Sequence, residues 1–267
     1  MKKNETVFKG AIFDVDGVLE YRGAALPGAA DTIECLREMG VVLRFLTNST
    51  LKNRASCASG LERKGIRASP VEVITASFAA AAYVRSLRPR SCWVMLEREG
   101  LAEFDGIPID EANPEYIVVG DNRSRFDFEH LNKALRLLTS GSKLIGMQSE
   151  LVDTSLGDLE LNVGSWVGML ERASGVKAAY SGKPHAYAFA LALESMRLAK
   201  RDVVMVGDKV STDVRGAKDF GIASILVKTG EYDERELAAH PSPDFVFDSV
   251  CGVVGVFAPA APGGGRG

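Results

Sequence analysis

Two carboxylates one residue apart stand where an apolar run near the N-terminus ends. The run extends from Val7 to Phe13, and Asp14, Asp16 and Gly17 follow it. Such a run predicts a buried strand, and a glycine behind it allows a sharp turn. The two carboxylates would share one face and repel each other unless a cation or another partner is near. Residues 13–18 alone are compatible with a ligand site and equally with a solvated acidic turn.

The spacing of apolar residues around this turn predicts a βαβ unit. We expect a helix from Ala30 to Met39, ended by Gly40, and a strand from Val41 to Leu46. A right-handed crossover makes the two strands parallel, so both end at the same edge of the sheet. In open α/β sheets this is the edge at which ligands bind.

Thr47 and Asn48 follow the second strand and would reach the same edge. Such residues also cap helices, and we expect a helix over residues 51–64 that is capped by Ser49 or Thr50. A helix N-terminus beside a hydroxyl is equally a seat for phosphate. Capping and phosphate binding therefore both stay open for Thr47 and Asn48.

Two later segments add charge at this edge. Lys183 precedes a helical run, and Asp208 and Asp213 follow a second apolar strand. Carboxylates with open positions suit Mg²⁺, and a lysine beside a hydroxyl suits phosphoryl oxygens. A calcium loop starting at Asp14 is excluded, because its twelfth position is Ala25, which offers no carboxylate.

Between these segments the alternation of strands and helices begins again. We expect strands at 92–96, 116–120 and 143–146, helices at 128–139 and 163–173, and, earlier in the chain, a loop at 20–26. The predicted fold class is α/β, a Rossmann-like core with a parallel sheet and helices on both faces, plus an inserted α/β cap domain. The predicted division is core 1–80, cap 81–178, core 179–258 and a disordered tail 259–267.

Composition points to a cytoplasmic protein. The net charge of −3 favours neither nucleic acid nor an anionic membrane as partner. No apolar segment approaches the roughly 18 residues of a spanning helix, and polar residues at 4–6 interrupt any signal peptide. The cysteines form no C-x-x-C pair and are expected to be reduced core residues: Cys35, Cys57, Cys92 and Cys251.

Four ordered segments resemble the motifs of the haloacid dehalogenase superfamily. They are Asp14-Val15-Asp16-Gly17-Val18, Leu46-Thr47-Asn48-Ser49-Thr50, Gly182-Lys183-Pro184 and Gly207-Asp208-Lys209-Val210-Ser211-Thr212-Asp213. The insert between the second and third segments resembles the larger, α/β type of cap found in 4-nitrophenylphosphatases and NagD-like phosphatases. The resemblance spans nearly the whole chain and implies phosphatase activity with Mg²⁺ as cofactor.

The resemblance also implies a role for each residue of the first motif. Asp14 would be the nucleophile and would form an aspartyl-phosphate. Asp16 would protonate the leaving oxygen and then deprotonate the attacking water. The carboxylates of Asp14 and Asp208 and the backbone carbonyl of Asp16 would hold Mg²⁺.

The remaining motif residues would bind the phosphoryl group. By the same resemblance, Thr47, the backbone N–H of Asn48, and Lys183 would contact its oxygens. Asp213 would act indirectly, through water or through Lys183. His185, beside Lys183, has no part in this mechanism, and we expect it in the first turn of a helix.

The cap departs from the family pattern. Relatives commonly carry Thr-Asn-Pro-Asp and Pro-Gly-Ala-Gly where this chain has residues 146–150 and 162–165. The resemblance places both segments near the leaving group, so the substrate is predicted only as a small phosphorylated metabolite. Arg123 and Arg125 are either solvated surface residues or contacts for an anionic leaving group.

The leading hypothesis is therefore a Mg²⁺-dependent phosphomonoester hydrolase. One alternative is phosphotransfer to an acceptor other than water, and another is a non-catalytic phospho-ligand binding protein of the same fold. A homodimer is possible, because caps of this type can contribute to dimer contacts.

Overall fold

The computed structural model describes residues 8–154 and 157–257. The first part of the core contains β1 (Gly10–Phe13), β2 (Glu20–Tyr21), β3 (Ala24–Ala25), α1 (Ala29–Glu38), β4 (Val42–Thr47), α2 (Arg54–Glu62), β5 (Val73–Thr75) and α3 (Ala76–Leu87). The following part contains β6 (Cys92–Met95), β7 (Tyr116–Val119), α4 (Phe128–Thr139), β8 (Lys143–Gly146), β9 (Val152–Asp153), β10 (Glu160–Leu161), α5 (Val163–Ser174) and β11 (Ala178–Tyr180). The chain then returns to the core with α6 (Ala186–Met196), β12 (Val203–Gly207), α7 (Arg215–Phe220), β13 (Ala223–Val227) and β14 (Phe245–Phe247).

The core is a six-stranded parallel sheet in the order β14-β13-β12-β1-β4-β5. The central strand β1 is buried on both faces, which accounts for its unbroken apolar sequence. Ala11 and Phe13 pack on the side of α1 and α2, whereas Ile12 packs on the side of α6 and α7. The predicted Rossmann-like core with helices on both faces is confirmed.

A second parallel sheet, in the order β11-β8-β7-β6, forms the predicted α/β cap. Helices α4 and α5 cover one face, and α3 and the 3₁₀ segment Arg98–Phe104 cover the other. The predicted boundaries at 81 and 178 fall within α3 and β11. Helix α3 is shared, because Ala79 packs in the core and Ala80 packs beneath the cap sheet.

Helix α2 begins later than the sequence indicates. Its first residue is Arg54, and the side chain of Asn53 caps it by accepting a hydrogen bond from the helix backbone. The prediction that Ser49 or Thr50 is the N-cap residue of this helix was wrong. Thr50 instead accepts a hydrogen bond of 3.1 Å from the backbone N–H of Asp121 in the cap. The chain before α2 is thus held by a tertiary contact, which local sequence does not specify.

One further segment differs from expectation, and another forms a wide turn. The predicted loop over 20–26 contains the β2–β3 hairpin, in which Glu20 pairs with Ala25. The segment after β12 forms a wide π-type turn over Val210–Val214 that continues into α7. This wide turn has a direct consequence for the site, because it carries Asp213 into the interior.

The cysteines and chain ends complete the comparison. All four cysteines are free, but Cys251 is exposed, so the prediction of a core position was wrong for this residue. The helices of the described ranges have at most 12 residues, and none is long and apolar enough to cross a bilayer. Val7 and the predicted tail over 259–267 lie outside the described residues.

Candidate active site

Strands β1, β4 and β12 end at one edge of the core sheet, and a pocket of about 460 Å³ lies there beneath the cap. The predicted site residues that line it are Asp14, Asp16, Thr47, Asn48, Lys183 and Asp208. Asp213 is fully buried and lies behind Lys183. The structure therefore brings together, at one edge, residues from all four sequence segments.

The ammonium of Lys183 joins two of these carboxylates. Its Nζ lies 2.7 Å from Asp14 Oδ1 and 2.8 Å from Asp213 Oδ1, and its side chain is only 2% exposed. Burial alone would lower the pKa of Lys183, but the adjacent carboxylates hold it above its ordinary value. Lys183 is thus a permanent cation at the centre of the site.

The two oxygens of Asp14 have different surroundings. Oδ1 accepts hydrogen bonds from Lys183 and from the backbone N–H of Val15, at 2.7 Å. Within the described residues Oδ2 accepts none. Burial raises the pKa of Asp14 well above its ordinary value, and Lys183 opposes this shift. One oxygen is fixed and the other is available, an arrangement suited to a positioned nucleophile.

The acidic residues of the site fit a hard divalent cation. Asp14, Asp208 and Asp213 each place a carboxylate oxygen within 4.8 Å of the others. Burial, followed by the charge of Asp213, raises the pKa of Asp208 to about 8. Three buried carboxylates around Lys183 leave an excess of negative charge, which a Mg²⁺ ion bound by oxygen ligands would neutralise.

The hydrogen bonds divide these carboxylates into two groups. Both oxygens of Asp213 are engaged, Oδ1 with Lys183 and Oδ2 with the backbone N–H of Lys209. Asp208 uses Oδ2 to accept the backbone N–H of Glu231 at 2.6 Å, and Oδ1 accepts no hydrogen bond within the described ranges. Asp14 and Asp208 therefore keep open positions for a metal, whereas Asp213 mainly orients Lys183.

Asp16 lies on the open side of the pocket. Its side chain is reached by solvent, yet the concave wall surrounds it with protein atoms. Desolvation raises its pKa, while the nearby ammonium of Lys52 lowers it. Its Oδ2 accepts a hydrogen bond of 3.3 Å from the hydroxyl of Thr47. A carboxyl group with a raised pKa keeps its proton longer as pH rises, which suits a proton donor.

The side chain of Asn48 holds the backbone of Lys183 from both sides. Its Oδ1 accepts the backbone N–H of Lys183 at 2.9 Å, and its Nδ2 donates to the backbone carbonyl of the same residue at 3.1 Å. Thr47 Oγ1 accepts the backbone N–H of Ser49 at 3.1 Å. The side chain of Asn48 thus fixes the position of the Lys183 backbone.

Arg123 and Arg125, the two arginines considered as contacts for a leaving group, have different positions. Arg123 lines the pocket, where it pairs with Asp121 at 3.2 Å and with Glu160 at 2.7 Å. Arg125 pairs with Glu111 at 3.6 Å and does not line the pocket. Of these two arginines, Arg123 is therefore the one placed to meet a leaving group.

His185 lies outside the catalytic cluster. It is the N-cap residue of α6 rather than part of its first turn. Its ring stacks on Tyr180 with centroids 4.8 Å apart, and its Nε2 lies 3.2 Å from Ser149 Oγ. These contacts make His185 a packing residue between cap and core.

Comparison with known proteins places this geometry in a family. Residues 11–108 match the model of haloacid dehalogenase-like hydrolases, and residues 180–253 match a second, HAD-hydrolase-like model. Haloacid dehalogenase-like hydrolase domain-containing protein 2 of Mus musculus is 32% identical over 236 residues, which cover 87% of this chain and 90% of that protein. The chain belongs to the haloacid dehalogenase superfamily.

Solved structures place this superfamily member in the NagD subgroup of phosphatases. The 4-nitrophenylphosphatase of Thermotoga maritima has a TM-score of 0.88 and 27% identity, covering 95% of this chain and 98% of its own. NagD of E. coli has a TM-score of 0.84 and 26% identity, covering 91% and 97%. The recognition made from four motifs is confirmed, and the protein is a phosphatase.

Sequence reasoning assigned no role to three charged residues of this phosphatase site. Lys209 lines the pocket together with Glu150 and Glu231 and contacts both of them. Lys209 follows Asp208 directly, a position that signals a place near the site. Nothing in the local sequence of Glu150 or Glu231 indicates the contact, because it joins the cap to a distant loop.

Proposed function

We propose that this phosphatase hydrolyses small phosphomonoesters with the help of Mg²⁺ and through a phosphoaspartyl intermediate on Asp14. The observation that carries the proposal is the contact of the buried Asp14 with Lys183, together with the unengaged second oxygen of Asp14. A carboxylate surrounded by others can attack phosphorus only where cations offset the repulsion. Lys183 supplies one such cation.

In the first half-reaction, Asp14 Oδ2 forms a bond to phosphorus while the bond from phosphorus to the leaving oxygen breaks. Asp16 gives its proton to that oxygen, so the alcohol leaves neutral. Thr47, the backbone N–H of Asn48, and Lys183 hold the phosphoryl oxygens.

In the second half-reaction, water replaces Asp14 at phosphorus. Asp16, now a carboxylate, takes a proton from the water, and the bond between phosphorus and Asp14 breaks. Inorganic phosphate leaves and both aspartates return to their starting forms. Mg²⁺ would be held by the carboxylates of Asp14 and Asp208 and the backbone carbonyl of Asp16, and it would neutralise charge on the phosphoryl oxygens.

The leaving group we propose is small and polar. Leu51 is the one apolar side chain lining the pocket in the described part of the chain, and aromatic rings are absent from that lining. A relative from Danio rerio, 33% identical over 84% of each chain, is named phospholysine phosphohistidine inorganic pyrophosphate phosphatase. Phosphoramidates and pyrophosphate therefore belong beside phosphomonoesters in a substrate panel.

The deciding experiment compares the wild type with Asp14→Asn on 4-nitrophenyl phosphate and on that panel, with and without Mg²⁺. We expect release of inorganic phosphate that needs the metal, and an acid-stable phosphoryl adduct on Asp14 that is seen by mass spectrometry after rapid quenching. Full activity of Asp14→Asn would refute the proposal. Release of the leaving group that required an added alcohol and gave a phosphorylated alcohol instead of inorganic phosphate would favour phosphotransfer, and an inactive wild type would favour a binding protein.

A further inference from the structure

Glu150 reaches from the cap into the catalytic core. It follows β8, and the cap fixes its backbone, because its N–H donates to Gln148 Oε1 at 2.5 Å and its carbonyl accepts the N–H of Gly164 at 2.9 Å. Its side chain is only 14% exposed. The cap therefore fixes the backbone of Glu150, which lies in the segment where the chain departs from the family pattern.

Each oxygen of Glu150 has one partner in the core. Oε1 lies 2.6 Å from Lys209 Nζ, and Oε2 accepts a hydrogen bond of 2.8 Å from Asn48 Nδ2. Asn48 in turn holds both backbone groups of Lys183, and Lys183 contacts Asp14. A continuous chain of hydrogen bonds thus leads from the cap to the proposed nucleophile.

Two carboxylates of this network hold the ammonium of Lys209. Its ammonium lies 2.5 Å from Glu231 Oε2 as well as beside Glu150, and its backbone N–H donates to Asp213. Although burial alone would lower the pKa of Lys209, Glu150 and Glu231 hold it above its ordinary value. Lys209 is therefore an anchor for the carboxylate of Glu150 rather than a free cation for substrate.

We propose that Glu150 is a positioning residue that fixes Asn48, and through Asn48 the Lys183 loop, in the geometry needed for phosphoryl transfer. This inference rests on the proposed function. The donor–acceptor pattern supports it, because an amide that gives one hydrogen to Lys183 and the other to a fixed carboxylate has a single orientation. Glu150 does not contact Asp14, because Asn48 and Lys183 stand between the two in the network.

The test is steady-state kinetics of Glu150→Gln, Glu150→Ala and Glu150→Asp on two substrates with different leaving groups. Glutamine keeps the size but loses the charge that holds Lys209. For the glutamine and alanine variants we expect kcat to fall roughly 10- to 100-fold for both substrates, because small displacements of catalytic groups have effects of this size. KM should change by less than about threefold, and Glu150→Asp should recover part of the loss.

Glu103 offers a matched control. It is a buried cap carboxylate that also contacts the core, at Arg54, but it has no link to Lys183. Glu103→Gln should keep the wild-type kcat. An equal fall in both variants would show that cap docking alone matters, and it would overturn the proposal.

A double-mutant cycle tests the route through Asn48. If Glu150 acts through Asn48, Glu150→Ala should cause little further loss in an Asn48→Ala background. Full additivity would overturn the proposal, as would an unchanged kcat in Glu150→Gln or a change confined to KM for one leaving group. The wild-type rate is the reference throughout, so an active wild type with an active Glu150→Gln sinks this inference and leaves the proposed function intact.

Discussion

The ammonium nitrogen of Lys183 lies 2.7 Å from a carboxylate oxygen of Asp14, and both side chains are buried. Asp14 follows the central strand of the core, whereas Lys183 follows the last strand of the cap sheet. The proposed nucleophile is therefore held by a residue whose backbone lies at the junction of the two sheets.

Removal of the cation should destabilise the fold as well as stop the reaction. Lys183→Met keeps the length of the side chain but leaves Asp14 and Asp213 buried without a counter-charge. Breaking a buried ion pair in this way costs about 3–5 kcal/mol. Urea unfolding of the metal-free proteins should show a smaller difference from wild type at pH 5 than at pH 8, because burial raises the pKa of Asp14, and a protonated Asp14 needs no partner. A difference that is independent of pH would contradict this reasoning.

Binding of Mg²⁺ should release protons. The pKa of Asp208 is raised to about 8 in the metal-free protein, and a metal ligand must be a carboxylate. We expect the affinity for Mg²⁺ to rise by up to about tenfold per pH unit below pH 8 and to level off above it. Titration calorimetry in buffers of different ionisation enthalpy measures the protons released. Asp208→Asn is the control that should abolish the metal response.

The same shift predicts how pH affects the stability of the metal-free protein. The folded state holds the Asp208 proton more tightly than the unfolded state, in which the pKa is near its ordinary value of 3.8. Stability is therefore greatest at low pH for this group and declines as pH rises from about 4 to 8. Thermal melts should show a larger stabilisation by Mg²⁺ at pH 8 than at pH 6, and an equal gain at both would be inconsistent with the shift.

Asp16→Asn should separate the two aspartates by leaving group. Without a proton donor, hydrolysis of alkyl phosphates should slow by about 10²–10⁴-fold. An aryl phosphate with an acidic leaving group should lose much less in the first step, since its oxygen departs without protonation. Rapid-quench measurement of the phosphoenzyme distinguishes this pattern from the complete block expected for Asp14→Asn. Identical losses for every leaving group would remove the assigned role.

A methyl group at Gly17 should disturb the metal position. Gly17 has φ of +84°, and a Cβ there would lie 2.0 Å from Asp208 Oδ2. Gly17→Ala should weaken Mg²⁺ binding sharply, because the added methyl group would displace the carboxylate of Asp208. It should also cost at least the roughly 1 kcal/mol of folding stability that a side chain at positive φ costs. Gly23 is a matched control with φ of +82° and no neighbour within 4 Å of a Cβ. Gly23→Ala should lose only the strain cost of roughly 1 kcal/mol and should retain activity. Equal losses of Mg²⁺ binding in both variants would refute the steric argument.

The core of the site was predictable because each of its residues stands next to a strong local signal. Asp14 and Asp208 directly follow apolar strands, and parallel strands end at a common edge. Asn48 was predicted as a residue of this edge, yet the bonds from its side chain to Lys183 were not. They depend on where two distant loops meet, which periodicity and capping rules do not determine.

The cap–core contacts escaped sequence reasoning for a related physical reason. Threonine often caps helices, but the hydroxyl of Thr50 accepts a hydrogen bond from the backbone N–H of Asp121 in the cap domain. Helix α2 begins only after Asn53. A glutamate after a strand is usually solvated, but the side chain of Glu150 contacts Asn48 and Lys209 in the core. In both cases a tertiary partner decides between local alternatives of similar free energy.

The strand order of the core determines when the sheet can form during synthesis on the ribosome. Phe13 is paired with Val206, so β1 waits on one side for a partner that emerges roughly 190 residues later. At about 5–20 residues per second, this delay is on the order of 10–40 seconds. The cap strands leave the exit tunnel within that interval, before the core sheet can be completed. A nascent chain halted at the end of β12 therefore carries Asp14 without Asp208, and the proposed metal site can form only after Asp208 has left the tunnel.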